Sequence, residues 1–141
     1  MNAFQKKVIA FASLSHALVH SLMIIFPSVV GLIEKDFGVK QAVFYSVYGW
    51  SRFLFGSGAI TAGPLTDRFG SKKVLLLFLF GAGISSILVA NASDKTFFLI
   101  WLCFLGYFCS LYHTAGIKLV TKETENLGMA LAYQGVGGNL G

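Results

Sequence analysis

The sequence predicts an all-α integral membrane protein built from antiparallel transmembrane helices. Apolar residues make up 55% of the chain and charged residues only 12%, whereas a soluble domain usually carries about 25% charged residues. The apolar residues are gathered into long runs separated by short polar segments. A backbone in lipid must satisfy its own hydrogen bonds, and a helix of about 20 apolar residues crosses the hydrocarbon core. The runs are therefore predicted as membrane-spanning helices.

A single transmembrane domain, residues 1–141, is predicted to contain four complete helices and a truncated fifth. The predicted helices cover residues 8–33, 42–65, 74–92, 97–117 and 127–141. Their short connections force neighbouring helices to run antiparallel. Pro27 in the first helix removes one backbone hydrogen bond, frees the carbonyl of Met23 and predicts a kink. The fifth run spans only about 22 Å, so we expect the chain to stop inside that helix.

The distribution of basic residues favours a cytoplasmic N-terminus. The predicted cytoplasmic residues are Lys6, Lys7, Arg68, Lys72, Lys73, Lys118 and Lys122, and the predicted outer ones are Lys35, Lys40 and Lys95. The net charge is +5, but these residues form no continuous patch, so no nucleic-acid partner is expected. The prediction is a multi-pass protein of the cell membrane, either plasma or inner.

The segment between the second and third predicted helices, residues 63–73, reads GPLTDRFGSKK. Gly63 is expected to let the second helix approach a neighbour closely. Gly70 is expected to support a tight turn, and Asp67 to pair with a cation or cap the next helix. The candidate residues of this segment are Gly63, Asp67, Arg68, Gly70, Lys72 and Lys73.

This segment resembles the signature G-x-L-x-D-R-x-G-R-[RK] of the major facilitator superfamily, with Ser71 in place of the usual Arg. The resemblance implies a transporter of two six-helix halves, with this chain forming most of the N-terminal half. It implies that residues 63–73 act as a conformational gate. The implied partners are lipid, a small solute and the remaining helices of the same transporter.

Three further segments, residues 15–20 (SHALVH), 112–116 (YHTAG) and 135–141 (GVGGNLG), are similar to the fosmidomycin-resistance-type branch of that superfamily. That branch has a His early in helix 1, His-Pro-x-Gly ending helix 4 and Gly-Asn-x-Gly in helix 5. Here Thr114 replaces the usual Pro, and His20 stands where many relatives have Asp. The resemblance adds Asn139 to the candidate residues.

Ionisable residues inside membrane helices are rare and are functional candidates. His16 and His20 are four residues apart on one helix face, and His113 lies roughly level with His16. Arg52 lies near mid-depth in the second helix. Imidazole can carry a proton near neutral pH, and Arg52 would supply a fixed positive charge. Purely structural alternatives stay open: a cross-helix hydrogen bond for each His, and an Arg52 side chain that extends towards water.

The function predicted is secondary active transport of a small solute by alternating access, with a proton as the coupling ion. No cofactor and no metal is expected, and no enzyme activity, because no paired carboxylates or nucleophile signature lie in a membrane run. Four helices cannot enclose a cavity between two halves. The alternative is a standalone small multi-pass membrane protein that acts as an assembly or interaction partner.

Overall fold

The computed structural model describes residues 1–38 and 40–141, which are mostly helical and contain no strand in that part of the chain. The helical segments are α1 (Ala3–Phe37), α2 (Gln41–Ser57), α3 (Ala59–Phe69), α4 (Ser71–Ala90), α5 (Lys95–Glu123) and α6 (Leu127–Leu140). By length and composition α1, α4 and α5 are each suited to cross a membrane. The prediction of an all-α membrane fold is confirmed.

The helices α1 and α5 begin before the apolar runs because polar residues cap their first turns. The Asn2 side chain accepts a hydrogen bond from the backbone N–H of Gln5, whose side chain accepts one from the backbone of Asn2. Asp94 caps α5 by accepting from the backbone N–H groups of Thr96 and Phe97. Such caps satisfy N–H groups that have no partner within a helix, so the helices extend beyond their apolar runs.

The predicted second helix is divided into α2 and α3 at Gly58. The backbone of Gly58 is still right-handed helical, with φ −62° and ψ −20°. A Cβ at this position would overlap the side chain of Ser110 on α5. The junction between α2 and α3 therefore lies directly against α5, where only a glycine fits.

Pro27 lies inside α1, which stays helical on both sides of it. The carbonyl of Met23, which Pro27 leaves without its helical partner, accepts a hydrogen bond of 2.5 Å from the hydroxyl of Tyr48 on α2. A side chain of the next helix thus satisfies the group that the proline frees. This is how membrane helices tolerate an internal proline.

The helix α5 is the centre of the fold and packs most extensively against α4 and α2. On α4, a Cβ at Gly81 would overlap the ring of Phe108. Ser51 on α2 donates a buried hydrogen bond of 2.8 Å to the carbonyl of Leu102 on α5. Small residues and short polar contacts let these helices approach closely, and large apolar side chains such as Phe44, Phe78 and Leu102 fill the core between them.

Small residues also bring α6 against α1. A Cβ at Gly137 would overlap the backbone of Ser13, and one at Gly141 the backbone of Ala17. Gly63 behaves differently, because a Cβ there would meet nothing within 4 Å among the residues that the structure describes. The prediction that Gly63 allows a close helix approach therefore stays a prediction.

Candidate functional site

The two histidines of α1 are in direct contact on one face of the helix. Their ring centroids are 4.9 Å apart, and the Nε2 atom of His20 lies 3.2 Å from Nε2 of His16. A spacing of four residues places side chains one above the other on a helix. The shared face follows from this spacing, as the sequence predicted.

The third imidazole comes from α5. The ring centroid of His113 lies 5.1 Å from that of His16 and 5.8 Å from that of His20. One ring nitrogen from each of the three residues lies within 4.8 Å of the others. The structure therefore brings together the three histidines that the sequence placed at similar depth, and we call His16, His20 and His113 the histidine cluster.

A buried hydrogen-bond network fixes the position of the His16 side chain. Its Nδ1 atom donates to the carbonyl oxygen of Gln134 on α6 at 2.8 Å. The Gln134 side-chain amide donates to the Tyr112 hydroxyl at 2.9 Å, and that hydroxyl donates to the carbonyl of Ala12 at 2.6 Å. Tyr112 and Gln134 are 0% and 3% exposed. Three helices thus fix one imidazole in place.

This network also fixes the proton positions of the neutral cluster. A carbonyl oxygen only accepts hydrogen bonds, so Nδ1 of His16 carries the proton and its Nε2 presents a lone pair. The short contact between His20 and His16 then requires Nε2 of His20 to donate. The Nδ1 atom of neutral His20 is left as an acceptor.

Sequence reasoning did not identify Tyr112, Gln134 or Gly138 as part of this site. A Cβ at Gly138 would fall 2.5 Å from Cε1 of His16, so the glycine makes room for the imidazole. Gln134 stands within an apolar run, where its side-chain amide is expected to be buried. Buried polar groups need hydrogen-bond partners, so this residue was an available signal for a polar site. The adjacency of Tyr112 to His113 was a second signal.

Arg52 lies about 16 Å along the helix axis from Gln41, near the middle of a membrane crossing. Its Cζ atom is 5.5 Å from the ring centroid of Phe55, and that ring packs edge-on at 5.4 Å against His113. The guanidinium is also near enough to His20 for an electrostatic interaction. The structure therefore joins Arg52 to the histidine cluster.

Asn139, the remaining candidate of this group, is exposed on α6. None of the hydrogen bonds found among the described residues involves its side chain. The neighbouring Gly138, not Asn139, contacts the histidine cluster. A role for Asn139 in a substrate or proton pathway therefore stays a prediction.

The three imidazoles are also the kind of ligand set that zinc accepts. A dication there would lie beside the fixed charge of Arg52 and would replace the hydrogen bond between His20 and His16. The six carboxylates of the chain lie near helix ends or in connections: Glu34, Asp36, Asp67, Asp94, Glu123 and Glu125. Without a carboxylate to offset the charge, a metal is disfavoured, and its absence stays a prediction.

The segment between α3 and α4 forms a second polar region. Asp67 accepts a hydrogen bond of 2.5 Å from Nζ of Lys118 on α5, so it pairs with a cation as predicted. Gly70 has a φ of +84°, which only glycine adopts easily. The turn predicted at Gly70 is therefore confirmed, and no side chain caps the start of α4.

The other basic residues of this segment surround the same ion pair. The Cζ atom of Arg68 lies 5.3 Å from the ring centroid of Phe69. Lys72 and Lys73 line a surface depression together with Asp67 and Lys118. Positive charge is thus concentrated at this end of α3, α4 and α5.

A family model described as the Major Facilitator Superfamily matches residues 9–141. The chain belongs to the Major Facilitator Superfamily. A gallate transporter of Pseudomonas putida is 40% identical over 62 residues, which is 44% of this chain and 14% of that protein. The class B tetracycline resistance protein of Escherichia coli is 27% identical over 108 residues, 75% of this chain and 25% of that protein. No solved structure matches.

These relatives are much longer than the region they share with this chain. The chain spans 14% of the length of one relative and 25% of the other. This chain therefore corresponds to a minor part of each of those two proteins.

Proposed function

We propose that this chain is the N-terminal part of a secondary transporter that moves a small solute across a cell membrane, coupled to protons, by alternating access. Membership in the Major Facilitator Superfamily supports transport and indicates a transporter rather than an enzyme. The observation that carries the proposal is the convergence of His16, His20 and His113 from α1 and α5, with Arg52 of α2 joined to His113 through Phe55.

Proton coupling is supported by the chemistry of the cluster. Imidazole is the ionisable side chain of the spanning segments whose ordinary pKa lies close to neutral pH. The groups that face them are Tyr112 on α5 and Arg52 on α2, while α6 contributes the carbonyl and amide of Gln134. No other charged group contacts the cluster among the described residues, so a proton taken up there is held by imidazole.

The length comparison supports the view that further helices belong to the same polypeptide. A cavity between two halves needs more helices than these six segments. Reading the gene beyond the codon for Gly141 tests this directly. Further apolar runs in the same frame are expected, and a stop codon there would favour a small standalone membrane protein.

The proposed orientation places the N-terminus and the segment 63–73 in the cytoplasm, with that segment acting as a conformational gate. The similarity to the fosmidomycin-resistance-type branch stays a proposal, since the two relatives found are a gallate transporter and a tetracycline resistance protein. Neither name assigns a solute to this chain. Gallate and tetracycline are, however, reasonable first solutes to test.

Transport is tested with the full-length gene product in proteoliposomes that contain a pH-sensitive dye. Addition of a transported solute is expected to change the internal pH, and an imposed pH gradient is expected to raise solute accumulation. The control is the same preparation without the protein. Solute accumulation that is equal with and without the gradient, and no internal pH change, would contradict proton coupling.

A further inference from the structure

We propose that the Arg52 face of the histidine cluster binds a small organic carboxylate together with a proton on His20. This inference rests on the proposed function, because it names the substrate class and the proton-binding group of the same transporter. It is carried by two observations: the position of a fixed cation that has no acidic partner among the described residues, and the donor and acceptor arrangement of the imidazoles.

The first observation concerns charge. Arg52 is at mid-depth, and the carboxylates of the chain lie near helix ends or in connections. The ion pair found among the described residues joins Lys118 to Asp67, not to Arg52. The Arg52 side chain is exposed and so is accessible to a ligand, and an ionisable residue within a membrane helix is a candidate for the counter-charge of that ligand. An arginine fork fits a carboxylate with two parallel hydrogen bonds.

The surroundings of Arg52 suit an organic anion rather than a bare inorganic one. The guanidinium lies over the ring of Phe55, and this ring packs on His113. One side of the position is therefore the aromatic ring of Phe55, which connects Arg52 to His113. A carboxylate held by Arg52 would place its carbon skeleton against the aromatic surface.

The second observation concerns protons. In the neutral cluster both N–H groups of His16 and His20 are already used: His16 donates to Gln134 and His20 donates to His16. The free nitrogen of His20, Nδ1, is an acceptor. A carboxylate also only accepts, so the two would repel each other until His20 takes up a proton at Nδ1.

Proton and anion should therefore bind together. A proton on His20 adds a donor and a positive charge beside the anion, and the anion in turn favours the charged imidazole. Each ligand then strengthens the binding of the other by the same factor. The proton enters Nδ1 from the aqueous side that faces the cavity and leaves to the opposite side, and no covalent bond of the solute changes.

Binding is tested on the purified full-length gene product in detergent by titration calorimetry. Three carboxylates (acetate, benzoate and gallate) are compared with their uncharged amides, in buffers of different ionisation enthalpy that report proton uptake. We expect at least one carboxylate to bind better than its amide and to take up about one proton above neutral pH. If no carboxylate binds better than its amide, the proposal is wrong.

Three variants assign the roles. Arg52→Gln is expected to weaken carboxylate binding at least about tenfold, and Arg52→Lys to weaken it less. His20→Gln is expected to retain weaker binding but to lose proton uptake. Lys95→Gln, which changes an exposed charge at the start of α5, is the control and should match the wild type.

The outcomes separate this inference from the proposed function. Carboxylate binding that depends on Arg52, with no transport in proteoliposomes, would support the site and contradict the transporter. Proton-coupled transport of uncharged solutes that is unaffected by Arg52→Gln would support the transporter and overturn the anion site. Proton uptake that persists in a folded His20→Gln variant would move the proton to another group and overturn its assignment to His20.

Discussion

The two polar regions of this chain use similar short contacts in very different surroundings. The ion pair between Asp67 and Lys118 lies at the end of the helices, and its side chains are 75% and 44% exposed. The network of Tyr112, Gln134 and His16 lies inside the bundle and is held by three helices. Exposed ion pairs contribute little to stability, typically below about 1 kcal/mol. Buried polar groups without a partner cost more.

This difference indicates a division of labour. The buried network can fix geometry, because its side chains are hydrogen-bonded to one another and to the backbone of neighbouring helices. The exposed pair can break and form at low cost, which suits a contact that changes during alternating access. Substitutions should therefore affect stability strongly in the first region and turnover in the second.

The largest effect on stability is expected where α6 meets α1 beside His16. Gly137→Leu would force a side chain into the backbone of Ser13, which cannot move away. We expect a loss of about 1–3 kcal/mol or more, measured as a lower melting temperature in detergent. Gly135→Leu is the matched control, since a Cβ at Gly135 meets nothing within 4 Å. Equal melting temperatures of the two variants would contradict this packing.

The next effect is expected for the buried hydroxyl. Tyr112→Phe removes the donor to Ala12 and the acceptor of the Gln134 amide, and leaves that amide unpaired. The expected loss is about 1–3 kcal/mol. Tyr133→Phe, at a residue 56% exposed on α6, removes the same atom and should change stability little. If both variants unfold alike, the network does not stabilise the fold.

The sequence predicted the features that depend on composition and spacing. The apolar runs predicted the helices, the four-residue spacing predicted the contact of His16 and His20, and Pro27 predicted the free carbonyl of Met23. It did not predict that Tyr48 satisfies that carbonyl, because the partner comes from another helix.

The same reason explains which residues of the site were missed. Gln134 and Gly138 reach His16 from a helix more than a hundred residues away in the chain, and spacing carries no information on such pairs. The close contact of Gly58 with Ser110 of α5 is likewise a pair from distant parts of the chain.

A functional effect without a large change in stability is expected at His20. In the full-length transporter, His20→Gln should flatten the pH dependence of transport more than His113→Gln, since Nδ1 of neutral His20 is the acceptor nitrogen proposed to take up the proton. The measurement is initial uptake across a pH series, with the melting temperature of each variant as a control for folding. An unchanged pH profile in both variants would leave the histidines as hydrogen-bonding and packing residues.

A smaller effect is expected at the exposed pair. Asp67→Asn removes the charge that pairs with Lys118 but keeps the shape of the side chain. We expect a change in stability below about 1 kcal/mol that shrinks further in high salt. Transport by the full-length protein should slow while solute affinity stays nearly constant, because Asp67 biases which way the cavity faces. Normal turnover in the Asp67→Asn variant would contradict a role in gating and leave the pair with Lys118 as a contact that only holds the loop in place.

The smallest perturbation tests the proposed membrane orientation of both polar regions. Single cysteines at Ser71, at the start of α4, and Ser93, before α5, lie at exposed or partly exposed positions at opposite ends of α4. Neither substitution should change stability or transport. On intact cells an impermeant thiol reagent should label Ser93→Cys and leave Ser71→Cys unlabelled until the cells are opened, because the basic residues favour a cytoplasmic segment 63–73. The native Cys103 and Cys109 are replaced by Ala in both variants to remove background labelling. Labelling of Ser71→Cys from outside would reverse the orientation and place the Asp67–Lys118 pair on the outer surface.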